Sequence, residues 1–312
     1  MLGTDERREP HWPYGVRSPR PLPDATHVGA VHLQVADLSR SLDYYTAVLG
    51  MSVLEQAPTV ARLGAAASRL PLVIVHEKRG VAPVPRRGRF GLYHFAVLLP
   101  DRAALGRFAA HLLRGGVRPG MADHAVSEAL YLTDPDGLGI EVYADRPRST
   151  WSARDRELVM VTEPLDIAAV IAAGEDGEWI GMPAATVMGH VHLHVGDLAR
   201  AESFYHSALG LDKTVWGYPG ALFLSAGGYH HHLGVNIWSP GPAAGAGEAM
   251  LLEWQLVVPD GTAADIADSL HEAGYDATSA GEHTRAPDPW GTRLHVIGES
   301  TYGHGQGVAT PE

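Results

Sequence analysis

The chain has 312 residues, a formal net charge of −12, 45% hydrophobic residues and no cysteine. The acidic balance argues against nucleic acid or an anionic membrane surface as partner, and no apolar run reaches the ~18–20 residues that a membrane helix needs. The absence of cysteine excludes disulfides, thiolate catalysis, Cys-ligated zinc and iron–sulfur clusters. Any metal must therefore sit on His, Asp or Glu, and 18 histidines are available. Such a site suits Fe(II), Mn(II) or Zn(II). The charged, Pro-rich start carries no apolar signal region, which predicts a cytoplasmic protein.

In chain order, residues 1–26 read as a Pro- and Arg-rich N-terminal arm outside the core. Residues 27–80 form a first module. A strand through Val31-His32-Leu33-Gln34-Val35 leads to Asp37 as helix cap, with Leu38, Leu42, Tyr45 and Leu49 at helical spacing and Gly50 as the stop. Residues 90–146 repeat the plan: a strand through Tyr93–Leu99, then Asp101, Leu105, Phe108 and Leu112, with Gly115-Gly116 ending the helix. Residues 147–186 are a connector with helical signal at 164–173. In the third module, residues 187–240, the first motif returns at an offset of 160. Ten of the 21 positions from 31 to 51 are identical, with Asp197, Leu198, Phe204, Tyr205, Leu209 and Gly210 in the helix. Residues 248–299 complete the set, Asp260 preceding Ile266, Leu270 and Gly274; residues 300–312 read as a loose, Gly-rich tail. The predicted fold is α+β, with four βαβββ modules.

The densest chemistry lies between Asp123 and Glu141. His124, Tyr131 and Glu141 are strung along a strand, an Asp134-Pro135-Asp136-Gly137 turn and a second strand. The turn reverses the chain, so Tyr131 and Glu141 can face one cavity from neighbouring strands. A carboxylate beside an imidazole and a phenol suits a metal ligand with acid–base partners. Elsewhere His190, His192 and His194 alternate along one strand and share a face, as do Ala30 and His32. Imidazoles on an inward face need partners, and a satisfied core or rim histidine is the ordinary reading of His194.

The four-module grammar resembles the vicinal oxygen chelate superfamily, whose βαβββ modules pair into cup-shaped half-barrels around a metal. Within it, His124, Tyr131, the Pro-containing turn and Glu141 closely resemble the signature of type I extradiol ring-cleaving dioxygenases of the catechol 2,3-dioxygenase type. The Gly228-Tyr229-His230-His231-His232 run resembles that type as well. Ala122 departs from the signature, which more often has Gly or a small β-former there.

The resemblance implies a ligand seven residues before each helix-opening Asp: His94 in module 2, His190 in module 3 and Glu253 in module 4, whereas module 1 offers Ala30. Glu141 and His295 occupy the last-strand positions. Pairing modules 2+3 and 1+4 assembles His94, Glu141 and His190 as a metal triad for Fe(II), with Mn(II) acceptable. Consecutive pairing would call on His32 instead, and the same cup can form across a dimer interface. His32, Glu253 and His295 are candidates for a second site, or remnants of duplication. The resemblance further implies a catecholic substrate and O2, with His231 as acid and base, and His124 and Tyr131 as hydrogen-bond donors. Phe95, Trp238 and Tyr143 are candidate ring walls. A metal-dependent glyoxalase-like lyase or isomerase and a drug-binding protein are the alternatives on this fold, the second lacking such a triad. Edge strands and paired modules are compatible with a homo-oligomer.

Overall fold

The computed structural model describes residues 12–85 and 88–303; the first 11 residues of the expected arm and the tail beyond residue 303 lie outside them. Residues 27–77 form β1 (His27–Val35), α1 (Leu38–Ala47), β2 (Ser52–Gln56), β3 (Val60–Gly64) and β4 (Val73–Glu77). Residues 91–145 form β5 (Gly91–Leu98), α2 (Arg102–Arg114), β6 (Gly120–Asp123), β7 (Ser127–Thr133) and β8 (Gly139–Asp145). The connector holds a small ribbon, β9 (Ala153–Arg154) and β10 (Glu157–Leu158), and a short helix, α3 (Ile167–Ala172). The second half gives β11 (Val187–His194), α4 (Leu198–Ala201), β12 (Asp212–Val215), β13 (Ala221–Ser225) and β14 (Leu233–Asn236). It continues with β15 (Met250–Val258), α5 (Thr262–Glu272), β16 (Thr278–Ala280), β17 (His283–Pro287), β18 (Arg293–Gly298) and α6 (Glu299–Gly303). Among the described residues no helix is long and apolar enough to cross a membrane.

Two eight-stranded sheets result, ordered β12-β13-β14-β11-β5-β8-β7-β6 and β16-β17-β18-β15-β1-β4-β3-β2. At the centre of the first, β5 runs antiparallel to β11; at the centre of the second, β1 runs antiparallel to β15. The strands of residues 91–145 thus join those of 187–236, and the strands of 27–77 join those of 250–298. His32 and His190 lie in different sheets.

Strand periodicity explains how the sheets stack. Side chains alternate between faces with period two. Val31, Leu33, Phe95, Val97, Val191, Leu193, Trp254 and Leu256 all bury into one continuous apolar core, so the two sheets meet back to back. Their neighbours in sequence, His32, His94, His190, His192 and Glu253, face the opposite, concave sides. Each large apolar side chain in the shared layer contributes about 1.5–3 kcal/mol, which fixes the register, because a one-residue slip would bury every imidazole in that core.

The helix starts follow the capping logic in three modules. Asp37, Asp101 and Asp197 accept from the backbone N–H of Arg40, Ala104 and Arg200. In the fourth, the cap is Gly261 at φ +84, while Asp260 instead accepts from Ser300 N–H at 3.0 Å. The helix after Asp197 changes pitch at Ala201 and continues as a π-helix over Glu202–Ala208. The wider turn buries the adjacent rings of Phe204 and Tyr205 together.

A pair of interlocks ties each hairpin turn to a helix of the other sheet. Tyr45 on α1 donates to Asp134 Oδ2 at 3.1 Å, and Arg40 pairs with the fully buried Asp136 at 2.5 Å. In the second half Tyr205 donates to Asp288 Oδ2 at 2.8 Å. Each turn also needs a left-handed glycine, Gly137 at φ +88 and Gly291 at φ +89. The arm departs from expectation: Tyr14 and Leu22 are buried, Val16 bridges Lys213, and Tyr14 Oη donates to Gly228 O at 2.8 Å.

Burial raises the Asp134 carboxyl to about 6, against backbone hydrogen bonds from Leu138 and Asp136 that favour its charged form. In the unfolded chain the group titrates near ~3.9. It imposes no penalty below about pH 4, where both states hold the proton, and costs stability as the pH rises through the folded value. Asp134→Asn removes this cost. In urea unfolding, its stability relative to the wild type should improve by of order 2 kcal/mol between pH 4 and 7; a pH-independent difference would show that Asp134 is not the titrating group.

Candidate metal centre

Three neighbouring strands bring His94, Glu141 and His190 together. Across the sheet Ala96 on β5 is registered with both His190 on β11 and Glu141 on β8, and His94 sits two residues back on the same face as Ala96. A methyl at position 96 leaves the space into which the three longer side chains converge. His94 Nε2 lies 3.0 Å and His190 Nε2 3.3 Å from Glu141 Oε2, and one ligand atom from each residue falls within 4.8 Å of the others. All three side chains are buried.

The electrostatics fit a cation. Burial pushes the Glu141 carboxyl up, but the charge interaction and hydrogen bond with His190, together with the close approach of His94, outweigh this and hold it well below the usual carboxylate range. Burial brings His190 down to about 4, so it meets Glu141 as a neutral imidazole. His94 Nε2, despite its short approach to Glu141, is buried with no hydrogen-bond partner among the described residues. A ring nitrogen left without a partner beside a second imidazole and a carboxylate is the donor set of a two-histidine, one-carboxylate metal site.

His231 stands next to this cluster, its ring centroid 4.0 Å from that of His190. The turn that carries it has two successive left-handed glycines, Gly227 and Gly228, both at φ +61. A Cβ on Gly228 would sit 2.5 Å from the Trp12 ring, so the N-terminal arm seals this turn from outside. All three histidines of the run are buried. His231 Nδ1 bonds His230 Nδ1 at 2.7 Å, whereas His232 Nδ1 accepts from Ala226 N–H at 3.2 Å and braces the turn. Burial, then the surrounding imidazoles, keep His231 well below its ordinary value, hence neutral.

Tyr131 faces Glu141 from β7, and its Oη is 2.6 Å from His124 Nε2. His124 Nδ1 donates to Val161 O at 2.6 Å, so in the neutral ring Nε2 is bare and Tyr131 donates to it. Burial, then the charge of Glu141, hold the Tyr131 phenol well above its ordinary value. These six residues line one cavity of about 160 Å³, alongside His192, Tyr218, Phe223 and Trp238. On one side it meets a larger vestibule of about 700 Å³ that shares Tyr93, His94 and Tyr131.

Of the expected ring walls, only Trp238 lines the cavity. Phe95 points into the apolar core because it is one residue out of phase with His94. Tyr143 is fully buried behind His190, centroids 5.1 Å apart, with its hydroxyl on Tyr229 at 2.7 Å. The concave face of the other sheet forms no comparable cluster among the described residues. There His32 Nδ1 bonds His76 at 3.1 Å and its Nε2 takes the Gln255 amide at 3.3 Å, so neither nitrogen is spare. Glu253 is paired with His295 at 3.1 Å and with Arg285 at 3.3 Å.

Sequence reasoning left several lining residues unassigned. His192 pairs in register with His94, and its Nε2 accepts from Asn236 Nδ2 at 3.0 Å. The same amide's oxygen takes His194 Nδ1–H at 2.7 Å, which makes His194 a satisfied rim residue. The run of alternating histidines signalled His192. Nothing local signalled Met160, Val161 and Thr162, which the connector lays across the cavity.

The family model described as Glyoxalase/Bleomycin resistance protein/Dioxygenase superfamily matches residues 26–142. The chain is 45% identical to the catechol-2,3-dioxygenase of Bacillus subtilis (strain 168) over 274 residues, covering 85% of this chain and 94% of that protein. Among solved structures, a putative dioxygenase from Bacillus subtilis strain 168 superposes with TM-score 0.61 at 15% identity, over 90% of this chain and 91% of the other. Glyoxalase I from Zea mays does so with TM-score 0.53 at 19% identity, over 89% and 94%; at these identities the two likenesses speak to the fold. The chain therefore belongs to the glyoxalase/bleomycin resistance protein/dioxygenase superfamily and, within it, to the family of the Bacillus subtilis catechol-2,3-dioxygenase.

Proposed function

We propose that this protein is a non-heme Fe(II)-dependent extradiol dioxygenase that opens catechol or a substituted catechol beside its diol with O2, giving a muconic semialdehyde-type product. The observation that carries the reading is the convergence of His94, Glu141 and His190 on the wall of an aromatic-lined cavity that His231 also lines. The 45% identity to a catechol-2,3-dioxygenase supports it. His94, His190 and Glu141 would hold the ion, and the set also accepts Mn(II). Fe(II) in that position supplies Lewis acidity toward the two substrate oxygens and a route for electrons from the ring to O2.

The remaining work falls to the chain's own residues. An apolar cavity of ~150 Å³ takes up benzene, so the inner chamber of about 160 Å³ suits one aromatic ring. Trp238, Phe223 and Tyr218 offer that ring faces and edges for stacking. His231, neutral and beside His190, accepts the proton of one substrate hydroxyl. Tyr131 Oη–H donates its hydrogen bond to His124 Nε2 while that ring is neutral. If His124 gains a proton, its Nε2–H turns toward Tyr131 Oη and frees the phenol to donate into the cavity, where oxyanion charge develops.

Loading with Fe(II) under anaerobic conditions, then adding catechol and air, should give oxygen uptake and a yellow ring-fission product. No uptake across a panel of catechols would refute the dioxygenase reading, and turnover of a glyoxalase-type substrate without oxygen would replace it with the lyase. Glu141→Ala should weaken metal binding by at least the roughly 100-fold that loss of a supporting partner costs, read as metal content after dialysis. His32→Ala should retain both metal and activity; loss of iron in that variant would move the ligand to the other sheet.

A further inference from the structure

Asp145, His230 and His231 form a hydrogen-bonded file from the half-exposed end of β8 into the cavity. His230 Nε2 lies 2.9 Å from Asp145 Oδ1, and His230 Nδ1 lies 2.7 Å from His231 Nδ1. Asp145 Oδ1 also accepts from Tyr229 Oη at 3.2 Å. His230 is fully buried and His231 nearly so.

The contact between two imidazole Nδ1 atoms needs one donor and one acceptor, and nothing in the pair itself decides which is which. Asp145 breaks the tie. An ionised carboxylate only accepts, so His230 Nε2 carries a proton; a neutral ring has no second one, so His230 Nδ1 is a lone pair. His231 Nδ1 must then be the N–H, and His231 Nε2 is left bare. His231 lines the cavity beside His190.

We infer that Asp145 and His230 are positioning residues that set the tautomer of His231, presenting its Nε2 lone pair to a substrate hydroxyl. The inference rests on the proposed role of His231 as base. It also says where charge goes. When the substrate O–H bond breaks and an N–H forms at His231 Nε2, the Nδ1 proton of His231 can move to His230 Nδ1. No atom is gained or lost, and the positive charge comes to rest on His230 against Asp145, where the ring centroid is 6.2 Å from that of His190 rather than the 4.0 Å of His231. A buried imidazolium beside a carboxylate is far less costly than one among other imidazoles.

The test is nitrogen-15 NMR of histidine-labelled, zinc-loaded protein, with the His231 ring assigned from the signal lost in His231→Gln. The wild type should show His231 as the Nδ1–H tautomer. Asp145→Leu removes the acceptor that holds the proton on His230 Nε2, so the His231 Nδ1–H form should lose its dominance and an Nε2–H signal should appear. In the iron-loaded enzyme the same variant should lose roughly 100-fold in kcat on catechol, while KM stays within about twofold and iron content is unchanged. Asp145→Glu should restore the Nδ1–H signal, and His230→Gly should regain turnover with added imidazole. An unchanged His231 tautomer and kcat in Asp145→Leu would overturn the inference even where His231→Gln is inactive. Wild-type kcat in His231→Gln would instead remove the base role on which it stands.

Discussion

The layer of apolar side chains between the two sheets is the constraint on which everything else depends. Four central strands, β1, β5, β11 and β15, each send one face into it. Because strand side chains alternate, the same register that buries Phe95, Val97, Val191 and Leu193 turns His94, His190 and His192 to the concave side. The metal-site geometry is thus set from behind, by packing that never touches it. The interlocks add to this from the flank. Tyr45 and Arg40, on a helix of one sheet, hold the turn that leads into the Glu141 strand of the other. Moving that turn would shift Glu141 relative to His94 and His190, so the two sheets behave as one frame for a site that belongs to only one of them.

Comparing the two concave faces shows two solutions to one electrostatic problem. A buried carboxylate needs a cation or a full set of donors. In the second sheet Glu253 occupies the strand position that His94 has in the first, and His295 occupies that of Glu141. Ala30 stands where His190 does. Arg285 is registered with His295 as Tyr131 is with Glu141. Its guanidinium neutralises Glu253 directly. In the first sheet that position is the neutral phenol of Tyr131, which brings no charge, and His94 Nε2 is left without a hydrogen-bond partner among the described residues. The protein's own cation closes one face to metal chemistry; its absence leaves the other face suited to an external one.

Much of this was legible in the sequence, for physical reasons that differ by element. The offset-160 repeat and the Asp-capped helices are local signals, and Asp37, Asp101 and Asp197 cap as their spacing implied. Glu141 stood out because a carboxylate on an apolar strand needs a cation or donors, whereas His94 and His190 came from the strand position that the superfamily resemblance implies. The misses came from tertiary placement. The phase of Phe95 relative to His94 was decidable from alternation alone, yet hydrophobic size suggested a wall. Met160, Val161 and Thr162 carry no pattern; only the path of the connector puts them over the cavity and sets Val161 O against His124. The buried course of Tyr14 and Leu22 in a Pro-rich arm is equally non-local, as is the π-turn that lets Phe204 and Tyr205 share one core.

The histidine run at 230–232 shows why position outweighs residue type. Three identical side chains in sequence take three different jobs because the glycine pair before them fixes the backbone. His232 receives a backbone N–H and holds the turn, His230 faces Asp145, and His231 faces the cavity. Each job demands a definite proton arrangement, and the acceptor-only carboxylate at the outer end propagates that demand inward through two rings. Tyr143 and Tyr229 flank the same file, Tyr229 Oη also donating to Asp145 Oδ1. The arm adds the last support, since Trp12 packs where a Gly228 side chain would be and Tyr14 binds Gly228 O. A segment that reads as a peripheral tail therefore holds in place the turn that aims His231 at the metal-site cavity.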